Sequence, residues 1–159
     1  MRDAIGGIFN IQALLVFIVL VSSYLAFSVN YTKAFRMKNK IIDIIEQNEG
    51  IDSRGRVNEK VQEYARQIGY TAPRNLSQPV VSGGITFPDC ELSLGYCYRR
   101  VTVEQKGNEK IAAGVPKEYY EIVTFVNIDL PLIRNIFPNF DMFRVTGSTK
   151  TIYKMNIRS

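Results

Sequence analysis

The chain has 159 residues, 22% of them charged, a formal net charge of +5 and no histidine. Without histidine the commonest general base and metal ligand is missing, so neither an enzyme nor a bound cofactor or metal is expected. Four of the cations follow one another closely after an apolar N-terminus, and no aromatic-interleaved basic motif accompanies them, which argues against nucleic acid as a partner.

Ala4 to Thr32 carries no charged residue, and Ala13–Val21 within it is pure hydrocarbon. About 20 apolar helical residues cross the roughly 30 Å core of a bilayer. Residues 8–32 are therefore read as a transmembrane helix, with the lipid bilayer as partner. A secretory signal would carry a shorter apolar run and an Ala-x-Ala cleavage site. Here Asn30, Tyr31 and Thr32 lead directly into basic residues, and a retained anchor fits better.

Ahead of the run stands Met-Arg-Asp-Ala-Ile-Gly-Gly, residues 1–7. A short leader with Arg2, ending in Gly6–Gly7 before an apolar helix, resembles that of a type IV prepilin. The resemblance implies a prepilin peptidase as a partner, cutting between Gly7 and Ile8 on the cytoplasmic side. Glycine suits such a site because it has no Cβ to obstruct an extended backbone. Gln12 would then be the fifth mature residue. Pilins usually carry glutamate there, whose charge offsets a neighbour's terminal amine; Gln12 can only hydrogen-bond. Without processing, the glycine pair is simply the start of a helix.

Lys33, Arg36, Lys38 and Lys40 form a cluster placed to meet lipid headgroups at the membrane surface. By the positive-inside rule this flank would lie in the cytoplasm, but long domains are translocated regardless of such charge, so orientation stays open at this point. The helical pattern continues through Ala34, Met37, Ile41, Ile44 and Ile45 at spacings of three and four. Gly50 offers a stop. Residues 33–50 are thus an amphipathic extension, and a helix over Ile5–Glu49 would be about 65–70 Å long.

Residues 51–159 form the head. Val57, Val61, Tyr64, Ala65 and Ile68 share one face of a second helix, with Gly69 as its C-cap. Thr71–Asp89, rich in proline and glycine, reads as loop with one extended piece at Val80–Val81. Tyr96–Glu104 alternates as a strand. Glu118–Asp129 is apolar on both faces and reads as a central strand, with Tyr120, Ile122, Val126 and Ile128 on one side and Tyr119, Val123 and Phe125 on the other. Gln105–Lys117 joins the two strands as a long loop, Pro131–Phe140 is a turn or short helix, and Met142–Tyr153 is a last strand. The fold class is α+β, with two helices and a small antiparallel sheet of about three to four strands.

Cys90 and Cys97 have the wrong spacing for a Cys-x-x-Cys motif, and nothing completes a metal set. Outside the cytoplasm they would form a disulfide; inside, two buried thiols. Gly147-Ser148-Thr149-Lys150 lacks the order of a phosphate-binding loop and reads as an outer position on an edge strand.

The order of a penultimate strand, Leu130–Ile133, Ile136–Phe140 and a final Arg144–Thr149 strand is similar to the end of TadE-like minor pseudopilins of tight-adherence (Tad/Flp) pilus systems. That resemblance implies a membrane-anchored structural or assembly subunit of a pilus or secretion machine. Its head would face outward from the cell membrane, and its partners would be other pilin-like subunits. The alternative is a single-pass subunit or binding module unrelated to pili.

Overall fold

The computed structural model describes residues 2–51, 55–73, 76, 78–103, 117–127 and 143–153, with the side chains of the first helix described from Phe9 onward. The expected loop over 105–116, the turn over 131–140, Ile128 and the Leu130–Ile133 and Ile136–Phe140 segments lie outside these residues. The fold is α+β.

Helix α1 (Arg2–Gln47) is one continuous element of 46 residues, about 69 Å long. It ends where expected. The Gly50 amide donates to the Ile45 carbonyl at 2.9 Å, and Gly50 has φ 122°, a value that L side chains rarely adopt. A Cβ at Gly50 would also lie 3.1 Å from the Tyr120 hydroxyl, so the turn fits tightly against the sheet. Helix α2 (Arg56–Ile68) closes with Gly69 in the left-handed conformation, and the Tyr70 amide donates to the Ala65 carbonyl at 2.9 Å.

The strands are β1 (Val80–Ser82), β2 (Ile85–Phe87), β3 (Asp89–Glu91), β4 (Tyr96–Val103), β5 (Lys117–Val126), β6 (Phe143–Ser148) and β7 (Ile152–Tyr153). β1 and β2 pair as a separate two-stranded ribbon. The main sheet is antiparallel in the order β3-β4-β5-β6, and β7 pairs with the start of β5. The described sheet thus has five strands rather than three or four. The extra ones are short: β3 precedes the tight turn before β4, and the expected last strand is split into β6 and β7. Thr149 occupies the break, and its amide and hydroxyl keep both bonds to Tyr120: Thr149 N–H to the Tyr120 carbonyl at 2.9 Å, and Tyr120 N–H to Thr149 Oγ1 at 3.0 Å.

β5 is central and covered on both faces, which is why apolar side chains occupy both faces of its second half, from Ile122 to Val126. Tyr120 and Ile122 face the helices and share a cluster with Met37, Ile41, Ile44 and Ile45 of α1 and Val57, Val61 and Ala65 of α2. Val123 and Phe125 face the other way, against Val80 and Phe87 of the β1–β2 ribbon. The amphipathic half of α1 is therefore part of the head's core. Gly147 on β6 permits a close approach, since a Cβ there would meet the Lys38 stem at 2.9 Å and Ile42 at 3.0 Å.

Tyr70 fastens α2 to the sheet. Its hydroxyl lies 2.7 Å from the Gly95 carbonyl and 3.0 Å from the Phe125 carbonyl, and accepts from Phe125 N–H at 3.2 Å. Burial pushes the Tyr70 phenol up from 10.0 to about 12, against a smaller lowering by the Phe125 amide. Its raised folded-state value means that the neutral phenol's contribution is complete below pH 10 and is lost as the pH rises from 10 towards 12. Tyr70→Phe is expected to lower stability by about 1–2 kcal/mol, through unpaired buried backbone groups. It should also flatten the alkaline decline in unfolding free energy over that window, measured by urea titrations in mild detergent.

Candidate functional site

No cluster of three or more metal-ligating side chains is present among the described residues. The feature with functional content is the passage of α1 from exposed apolar helix into the head. From Phe9 to Val21 every side chain is exposed, including Phe9, Ile11, Leu14, Leu15, Phe17, Ile18 and Leu20. This part of α1 is the one helix among the described residues long and apolar enough to cross a membrane, and none of its most apolar window is buried within the molecule. An exposed apolar helix of this length is one that an apolar solvent such as a bilayer would cover.

The polar side chains of this half suit such a solvent. Ser22 and Thr32 donate their hydroxyls to the Ile18 and Ser28 carbonyls one turn back, at 2.7 Å and 2.9 Å. Gln12 is exposed on the helix surface, and Gly7 and Ile8 lie within the helical backbone.

Burial along α1 is complete at Ala34, Met37 and Ile41. Ala34 packs with Val126 and Val145, while its carbonyl accepts the buried Thr124 hydroxyl at 3.0 Å. The four cations of the basic cluster straddle this transition, and three engage groups of the chain itself. Lys33 Nζ donates to the Gly69 carbonyl at 3.1 Å, meeting the negative end of α2. Lys38 lies over the Phe35 ring at 4.3 Å, its stem beside Gly147. Lys40 pairs with Asp43 at 3.1 Å and lies over Tyr64. Arg36 is exposed. Two of these contacts come from α2 folding back beside α1, which offers the Gly69 carbonyl to Lys33 and the Tyr64 ring to Lys40.

Cys90 and Cys97 are bonded. They are direct cross-strand partners on β3 and β4, and Cys97 is fully buried with Val123 and Phe125. The bridge closes a short hairpin. In the chain-entropy account a loop of this size is worth about 2.5 kcal/mol. The open alternative between thiols and disulfide is thus resolved in favour of the bond. Asp89 and Glu91, either side of Cys90, belong to this edge strand.

No protein-family model, no curated protein and no solved structure matches the chain.

Proposed function

We propose that this chain is a membrane-anchored, pilin-like structural or assembly subunit of a pilus or secretion machine, with its head outside the cell. The observation that carries the reading is the division of α1. One uninterrupted helix has an exposed apolar half and a second half built into the core of an α+β head. A helix shared in this way transmits the position of the head rigidly to the membrane, which suits assembly by helix packing rather than catalysis.

Two observations support an external head. The Cys90–Cys97 disulfide belongs in an oxidising compartment. Lys33, Lys38 and Lys40 have partners within the chain, which weakens the positive-inside argument for a cytoplasmic head. Exposed on the apolar half, Gln12 would meet neighbouring subunits there, as a hydrogen-bonding group in place of a charge.

Gln12 is also the residue that favours a second reading, a single-pass complex subunit unrelated to pili. The intact mass of the protein purified from its native membrane separates the two. Loss of Met1–Gly7 is expected for the pilin-like subunit. A chain retaining those residues contradicts prepilin processing.

A further inference from the structure

Four large apolar side chains of the described head are exposed: Val81 at 51%, Leu92 at 45%, Phe143 at 42% and Tyr153 at 50%. Their distribution is uneven. The register places Tyr96 beside Thr124 and Val126 beside Phe143, so β3 ends, β4 begins, β5 ends and β6 begins at one end of the sheet. Leu92, in the turn from β3 to β4, and Phe143, opening β6, both belong to this end. Val81 joins them, because its carbonyl accepts a hydrogen bond from the Arg144 guanidinium. Tyr153 is at the opposite end, where β7 pairs with Lys117, and the Lys117 ammonium lies over its ring at 5.3 Å.

The end with three exposed apolar side chains is also the one turned towards the exposed half of α1. Phe143 meets Phe27 edge to face, with ring centroids 5.1 Å apart, and Phe27 stacks on Tyr31 at 6.2 Å. Counting about 20 residues back from Phe27, enough for a 30 Å hydrocarbon core, ends at Ile8. A span ending at Phe27 therefore lies wholly within the charge-free run Ala4–Thr32, so the hydrocarbon can reach as far as the Phe27–Phe143 contact. Aromatic rings concentrate at headgroup level because they have an apolar body and tolerate a wet edge. Arg144, exposed beside Phe143, carries charge of the sign that lipid phosphates attract.

We infer that the head rests directly on the bilayer, with the sheet end bearing Phe143, Leu92 and Val81 and the Phe27–Tyr31 pair at headgroup level, and Arg144 against lipid phosphates. This rests on α1 being a membrane span. The occupant of the apolar end is lipid because the span is continuous with it. The head is then held by a second contact as well as by its helix, which limits its tilt relative to the membrane plane.

The chain has no tryptophan, so a single introduced indole reports its own surroundings. Full-length Phe143→Trp, Tyr153→Trp and Leu15→Trp proteins would be reconstituted into phosphatidylcholine–phosphatidylglycerol vesicles. Lipids brominated near the headgroup or deep in the acyl chain would serve as quenchers. Phe143→Trp is expected to lose about half its emission to the shallow bromines, as an interfacial aromatic should. Tyr153→Trp should be unaffected, and Leu15→Trp should be quenched by the deep bromines. If Leu15→Trp is quenched while Phe143→Trp is not and remains open to aqueous iodide, the head stands off the bilayer and the inference fails. If Phe143→Trp escapes both bromines and iodide, a second protein copy covers this end, which also overturns it. An unquenched Leu15→Trp defeats the span itself, a distinguishable failure of the underlying reading.

Discussion

Ile41→Ala is expected to lower the unfolding free energy of the head by about 3 kcal/mol, the middle of the range for truncating a fully buried isoleucine. Ile41 lies on the same helix as the exposed apolar run, yet it is completely buried among Ile44, Ile45, Val61, Tyr120 and Ile122 of the main core. A loss of that size means that α1 is a structural member of the head and not a tether. The control is Phe17→Ala, on the same helix but exposed to its surroundings, which should leave head unfolding unchanged. Urea titrations in mild detergent, followed by near-ultraviolet circular dichroism of the tyrosines, measure both. Equal and small effects for the two variants would separate α1 from the head and remove the basis for a rigid stalk.

The second large effect concerns the other half of the helix. Leu15→Arg combined with Ile18→Arg puts two guanidinium groups near the middle of the apolar run, on residues that are exposed in the folded chain. Each arginine at the centre of a membrane helix costs about 3 kcal/mol on the insertion scale. Together they oppose insertion by about 6 kcal/mol, close to a 10⁴-fold shift in the partition. The double variant is expected to leave the carbonate-resistant membrane fraction almost completely. Glu59→Arg with Glu63→Arg, exposed on α2, adds the same groups elsewhere and should stay with the membrane. Retention of the Leu15/Ile18 variant in the membrane would mean that α1 is not what holds the chain there.

Much of this architecture was legible before the structure. The buried stripe at Ala34, Met37 and Ile41, one residue per helical turn, and the stops at Gly50 and Gly69 follow from periodicity and from glycine's freedom at positive φ. The two-faced apolar pattern of β5 announced a central strand, and Tyr120, Ile122 and Val126 lie on one expected face, Val123 and Phe125 on the other. β2 and β3 were hidden because three residues are too few to display an alternation, and β2 sits in a stretch whose prolines and glycines signal loop. The partners of Lys33 and the role of Tyr70 were hidden for a different reason. Both depend on contacts between segments far apart in the chain, Lys33 with Gly69 and Tyr70 with Phe125, and no local pattern encodes those. Gly147 read as an outer position on an edge strand; it lies on β6 at the end of the strand order, and its closeness to Lys38 and Ile42, which no local pattern encodes, makes it a packing glycine.

Across the membrane, the side on which the head lies is the central claim, and labelling tests it most directly. Gln62 is exposed on α2 and can be replaced by cysteine without disturbing the core. Spheroplasts expressing Gln62→Cys would be treated with a membrane-impermeant maleimide before and after lysis, the native Cys90–Cys97 pair being protected as its disulfide. An external head predicts full labelling of Gln62→Cys in intact spheroplasts and no increase on lysis. Labelling that occurs only after lysis would place the head in the cytoplasm and contradict the account.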